Sequence, residues 1–303
     1  MSLKGNKKIG FFLMNKKGFN VLSKLINNNR HIDVVVSSRD DNLQKDYYDD
    51  IKNLCFNNNI LFFDRKDDFL NLIHSDYLVT IGWRWLILGK LMDRLIVTHD
   101  SILPKYRGFA PLVNMLINGE IFLGVTFLFA SEKYDCGKII VQKQQQIEYP
   151  IKINEAIEIV SNLFFQGIED IYKKIESEEN LIGQAQDENG ASYSLWRNED
   201  DYLINLNCSS EEIVRFVNAT GAPYLGASLF IENQKVRILD AEIFNDVQIE
   251  NRDIGKIIFI DNGKPVIICG KGLLKINILL DDKSQESILP LKKFRIKFKG
   301  KVI

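Results

Sequence analysis

Cysteine is scarce and unpatterned in this chain of 303 residues, with only four. They stand at Cys55, Cys136, Cys208 and Cys269, and no Cys-x-x-Cys pair occurs. This excludes a disulfide or zinc framework and reads as the reduced thiols of a cytoplasmic protein, with no metal implied. No apolar run approaches a membrane span, and the opening MSLKGNKKIGFFLM is too short in apolar residues for a signal peptide. Excess positive charge is missing as well. A formal net charge of −1 argues against nucleic acid held by bulk charge, while a local patch stays open. No G-x-G-x-x-G follows the first apolar run, so a dinucleotide cofactor is unsupported. Histidine is rare, with three in all.

What remains is a globular composition, 46% hydrophobic, long enough for one large domain or two ordinary ones. The first 150 residues alternate apolar runs with amphipathic stretches. Strands are predicted at 9–13, 32–37, 60–63, 77–81 and 95–99, and helices at 19–26 and 46–56. Such alternation predicts a doubly wound, parallel-type α/β sheet covered on both faces, with ligands at the carboxyl ends of its strands. Ile153, Ile157, Val160, Phe164, Ile168, Ile171 and Ile175 recur at helical spacing and predict a long closing helix over 151–176. A polar linker follows to about 190, which sets a first domain at 1–190 and a second at 191–303. The second carries a capping-box signature at Ser209 to Glu212 and then short strand-like runs, which predict a β-rich, open barrel-like domain. The alternating basic tail 292–301 reads as an edge strand with lysines outward, and a phosphate or RNA contact is the rival reading.

The densest chemistry lies in two segments, VTHDSILPKYRG at 97–108 and GVTFLFASEKYDCGKII at 124–140. They place His99 at the end of one strand and Asp135 in the loop that follows a second, neighbouring strand. An imidazole and a carboxylate so placed form a base and its orienting partner. Taken alone, His99 reads as a structural residue and Asp135 as a loop cap. Cys136 beside Asp135 is a small turn residue and not a nucleophile.

These two segments resemble the motifs of the folate-dependent formyltransferase family, roughly Asn-x-His-Pro-Ser-Leu-Leu-Pro-x-x-Arg-Gly and Gly-Val-Thr with Asp-x-Gly eight residues on. The likeness covers nearly the whole chain, more weakly after residue 190. It implies transfer of a formyl group from N10-formyltetrahydrofolate to an amine, with His99 and Asp135 managing the protons. It implies a folate pocket walled by Trp83, Trp85, Leu86 and Ile87, with Glu132, Lys133 and Tyr134 opposite. Arg84 between the tryptophans is read as reaching solvent. Ser101 and Arg107 fall in the loop that borders substrate, with loop anchoring the equal reading of Arg107.

Two positions depart from the pattern. The motif's Asn is Val97 and the Pro after His is Asp100. Val97 shares a strand face with His99 and cannot donate a hydrogen bond to an oxyanion. Protonated His99, a backbone N–H, Thr98 and Asn114 are the candidate replacements. Within the family, the tRNA enzymes carry a basic loop after the second strand. Here residues 37–50 hold Arg39 and Lys45 against Asp40, Asp41, Asp46, Asp49 and Asp50. The reading is therefore a small nucleotide-sugar substrate, without tRNA or membrane as partner, in a chain compatible with a homodimer. Residues 196–205 loosely resemble the sugar enzymes too. The alternatives are methionyl-tRNA as acceptor, or a binding protein altered at Val97.

Overall fold

The protein is described here from a computed structural model that covers residues 7–41, 43, 45–87 and 89–301. It divides into two compact units, interleaved along the sequence. One comprises Met1–Leu112, Phe122–Ile147 and Glu155–Leu195, and the other Val113–Ile121, Glu148–Asn154 and Trp196–Ile303.

In chain order the elements up to residue 194 are β1 (Ile9–Leu13), α1 (Asn15–Asn27), β2 (Val34–Ser37), α2 (Tyr48–Asn57), β3 (Leu61–Asp64), β4 (Tyr77–Ile81), β5 (Leu95–His99), β6 (Arg107–Gly108), α3 (Pro111–Asn118), β7 (Phe122–Phe129), β8 (Ile139–Gln146), α4 (Ile153–Glu176) and β9 (Tyr193–Ser194). Seven of the strands form one sheet in the order β3-β2-β1-β4-β5-β7-β8. The five strands β1 to β5 are parallel, and β1 and β2 are buried along their whole length. That is why they read as continuous apolar runs and not as alternating ones. The parallel expectation stops at β7, which is antiparallel to both β5 and β8. The loop 130–138 is too short for a parallel crossover, so β7 and β8 close as a hairpin. Helix α4 buries the predicted stripe, with Phe164 meeting Phe127 edge to face at 5.9 Å. Gly82 ends β4 at φ +66°, where a Cβ would lie 2.8 Å from the Met14 carbonyl oxygen. Only glycine lets the ends of β1 and β4 approach so closely.

The second unit contains α5 (Ser210–Thr220) and β10 (Ala227–Ile231), β11 (Gln234–Phe244), β12 (Ile257–Asp261), β13 (Lys264–Ile268), β14 (Leu273–Asp281) and β15 (Phe298–Lys299). The capping box forms as expected. Ser209 Oγ accepts from Glu212 N at 3.2 Å, and Glu212 Oε2 accepts from Ser209 N at 2.7 Å. The strands make one antiparallel sheet, β12-β13-β14-β11-β10-β15, with the β11–β14 register shifting between Ile238 and Ala241. Ile213 and Val217 of α5 share its core with Leu229, Ile238, Ile276 and Phe298.

The basic tail is a strand only at Phe298–Lys299, paired with β10 at the sheet edge. Just before, Lys297 bridges to Lys256 instead. A segment that changes backbone partner within three residues cannot hold the ten-residue alternation expected of it. Phe298 is buried and Phe294 is half exposed.

Candidate active site

His99 is the last residue of β5 and is nearly buried. Its Nε2 lies 2.7 Å from the carbonyl oxygen of Tyr106. A carbonyl only accepts, so this nitrogen carries the hydrogen. Nδ1 faces Asp135 Oδ1 at 3.5 Å. Asp135 Oδ2 in turn accepts from Gly108 N at 2.8 Å. One carboxylate thus touches both the histidine and the motif loop that follows it.

The two strands do not deliver these groups from adjacent ends. In the antiparallel register His99 lies opposite Thr126 and Ile96 opposite Phe129. Loop 130–138 therefore leaves β7 near the start of β5 and must fold back to bring Asp135 to His99. Gly137 makes that reversal possible, since a Cβ there would come within 1.8 Å of the Phe129 carbonyl oxygen. Asp135 adopts the left-handed conformation, φ +57°, as do Tyr106 at +61° and Gly108 at +98°. For Asp135 and Tyr106 this is a sparsely populated backbone state that the surroundings must hold.

Thr126 ties the loop after His99 to β7 with a saturated hydroxyl. It donates to Ser101 O at 2.7 Å and accepts from Leu103 N at 3.1 Å and Gln142 Nε2 at 2.9 Å. Ser101 is fully buried, and its hydroxyl donates to Lys105 O at 2.6 Å. Arg107 is the largest fully buried side chain. It pairs with both carboxylate oxygens of Glu188 at 2.8 Å and donates to Gln186 Oε1 at 2.7 and 3.2 Å. The bonds with Glu188 raise the guanidinium above its ordinary pKa and lower that of Glu188. Both Ser101 and Arg107 are thus hydrogen-bonded within the protein.

At position 97 the valine is partly buried. It packs with Trp83, Ile87 and Ala130 against a cluster that includes Phe12, Val34, Val36, Leu78 and Leu95. Thr98 is on the other face, where its hydroxyl donates to Thr80 O and its N–H to Thr80 Oγ1 at 3.1 Å. Asn114, in the second unit, accepts from Arg197 at 2.6 Å. Both side chains are already bonded. Asp100 forms an ion pair with Lys17 in the first turn of α1.

Trp83 meets Phe12 edge to face at 4.9 Å and Trp85 at 5.3 Å. Its indole Nε1 is buried without a hydrogen-bond partner among the described residues. Trp85 lies under the Arg65 guanidinium at 4.3 Å. Leu86 is exposed and Ile87 partly buried. Glu132, Lys133 and Tyr134 are exposed at the tip of the β7–β8 loop. Arg84 does not simply reach solvent, because it pairs with the buried Asp40 at 2.6 Å. Arg39 likewise pairs with Asp46 and Asp49, and Lys45 with Asp50. The acidic segment is in large part neutralised by its own cations and by Arg84.

Sequence reading missed Gln186, Glu188, Lys17 and Gln142. The first two sit in a stretch whose composition marks a solvated linker, and the partners of all four are 16 to 83 residues away. No group of three or more metal-ligating side chains occurs among the described residues.

A mostly parallel sheet with a histidine–carboxylate pair at its carboxyl edge, followed by an antiparallel half-barrel, defines a two-unit α/β protein. Residues 3–161 match the family described as formyl transferase, and 197–291 match the formyl transferase C-terminal domain. The chain belongs to the formyl transferase family. The methionyl-tRNA formyltransferase of Ureaplasma parvum is 28% identical over 181 residues, 57% of this chain and 59% of the relative. That of Borrelia recurrentis is 29% identical over 218 residues, 69% of each. Among solved structures, WlaRD, a sugar 3N-formyl transferase crystallised with dTDP and 5-N-formyl-THF, superposes with a TM-score of 0.65 at 21% identity, covering 90% of this chain and 97% of its own. HypX from Aquifex aeolicus superposes at 0.66 with 15% identity, covering 94% of this chain and 47% of its own.

Proposed function

We propose that this protein transfers a formyl group from N10-formyltetrahydrofolate to the amine of a nucleotide-linked amino sugar. The observation that carries the reading is His99 held between the Tyr106 carbonyl at 2.7 Å and the Asp135 carboxylate at 3.5 Å. With Nε2–H committed to Tyr106, Nδ1 is the ring atom free to gain or lose a proton. Asp135 faces that atom at 3.5 Å, the placement of an orienting partner for a general base. Its other oxygen, fixed by Gly108 N–H, keeps the carboxylate from turning away.

The residues present fit a folate. Trp83, Ile87 and Val97 lie on one apolar cluster, and the orphan Trp83 N–H is a buried donor with no acceptor of its own. These residues would hold the pterin, and the bound folate would supply the formyl group. Val97 removes one donor that the family motif places beside His99, a loss worth about 3 kcal/mol where such a donor acts. Both ring nitrogens of His99 already face acceptors, so backbone N–H groups are the donors left to replace it.

For the acceptor, net charge −1 gives little long-range steering toward a polyanion. Two phosphates need only one or two local cations. The names of the sequence relatives favour methionyl-tRNA as the second reading, and neutralisation of residues 39–50 by local ion pairs weakens the charge argument against it. The test offers both acceptors to one preparation at one salt concentration and follows formylated products by mass. We expect formylation of the nucleotide-linked amino sugar only. It should fall roughly 100- to 10,000-fold in His99→Ala. Formylation of the tRNA alone would replace the acceptor assignment, and failure on both would move the reading to a folate-binding protein.

A further inference from the structure

Gln186 is the point where the linker meets the Asp135 loop, and its amide makes four hydrogen bonds. Oε1 accepts from Arg107 Nε at 3.2 Å and Nη2 at 2.7 Å. Nε2 donates to the carbonyl oxygens of Asp135 at 2.8 Å and Gly137 at 2.9 Å. The orientation of the amide is fixed by its partners, because a guanidinium can only donate and a backbone carbonyl can only accept. Every donor and acceptor site of the side chain is therefore filled, and no other amide orientation would satisfy them.

We propose that Gln186 is a positioning residue of the reaction, holding Asp135 in its left-handed conformation so that the carboxylate meets His99. The inference rests on the formyl-transfer reading above. Asp135 is restrained from two sides. Gly108 N–H binds its side chain, and Gln186 binds its carbonyl. At φ +57° the backbone would relax if either restraint were lost. Gln186 is in turn clamped by Arg107, which is fully buried and held by Glu188. The chain of contacts Glu188–Arg107–Gln186–Asp135–His99 runs from the linker to the imidazole without a gap. Gln186 touches neither His99 nor any reacting atom, so it acts through Asp135 alone.

The test uses the full chain with Gln186→Met and Gln186→Glu. Methionine keeps the length without the hydrogen bonds. Glutamate keeps the shape but sets a carboxylate oxygen against the carbonyls of Asp135 and Gly137. We expect both variants to melt cooperatively and to lose kcat by roughly 10- to 100-fold, the scale of a small misplacement. The KM for the folate donor should move by less than about threefold. The chain has three histidines, so their imidazole NMR signals are separable. Those of His99 should shift in both variants while those of His31 and His74 stay. Folded variants with wild-type kcat, or with lowered kcat and unmoved His99 signals, would overturn the proposal. So would unfolding of both variants at a temperature where wild type is folded, which would make Gln186 a stability element only. If wild type formylates no amine, the functional reading fails by itself, and the His99 signals alone decide whether Gln186 positions the pair.

Discussion

Val97 lies two residues before His99 on one face of β5, among Trp83, Ile87 and Ala130. It has been absorbed into an apolar wall, and its neighbour Asp100 is paired with Lys17. Restoring the motif at one position would not restore the surroundings that an amide needs. Val97→Asn is therefore expected to lower stability by about 1 kcal/mol, the low end of the cost of an unsatisfied amide because the position is only partly buried, and to lower turnover with it. Denaturant melts and steady-state rates check both, and a rate gain of about tenfold or more would show that the donor was simply missing. At this scale His99 and Asp135 were legible as candidates, because about ten residues in register with the family motifs pointed to them. Gln186 and Glu188 were not. A glutamine in QDENG looks solvated until folding brings Arg107 to it, and nothing local in the sequence records a partner about 80 residues away.

At the level of elements, legibility followed the range of the interactions. The five parallel strands and α4 were readable from apolar runs and periodicity, which are local signals. So was the start of α5. Its capping box satisfies two end groups reciprocally, and Ser209→Ala should cost the second unit about 1 kcal/mol in a denaturant melt. A loss indistinguishable from zero would show that Glu212 or water replaces the hydroxyl. The antiparallel turn of the sheet at β7 was not readable, because strand direction depends on pairing and not on composition. The fold-back of loop 130–138 rests on a glycine contact that only the folded backbone defines. The basic tail failed as a long edge strand for a similar reason, since alternation says what could pair and not whether a partner runs alongside.

For the molecule as a whole, each unit carries a buried thiol. Cys55 lies in the first and Cys269 in the second, and burial pushes both up to about 12. Neither should react with iodoacetamide in native buffer at neutral pH, because the thiolate is the nucleophile. As denaturant is raised, each should label at the point where its own unit opens, read by mass after digestion. Labelling of either at the rate of an exposed thiol in native buffer would contradict its burial. Chain slack is a further consequence of how residues 184–193 grip the Asp135 loop and the segment 104–108. The exposed residues 177–180 lead into that grip without sharing it, so a roughly ten-residue Gly-Ser insertion after Glu178 should cost under about 1 kcal/mol and leave turnover intact. A single residue inserted after Asp187 breaks the spacing by which Gln186 and Glu188 seize one guanidinium, and turnover should collapse while the sheet stays folded. Length is thus free on one side of Gln184 and rationed to the residue on the other.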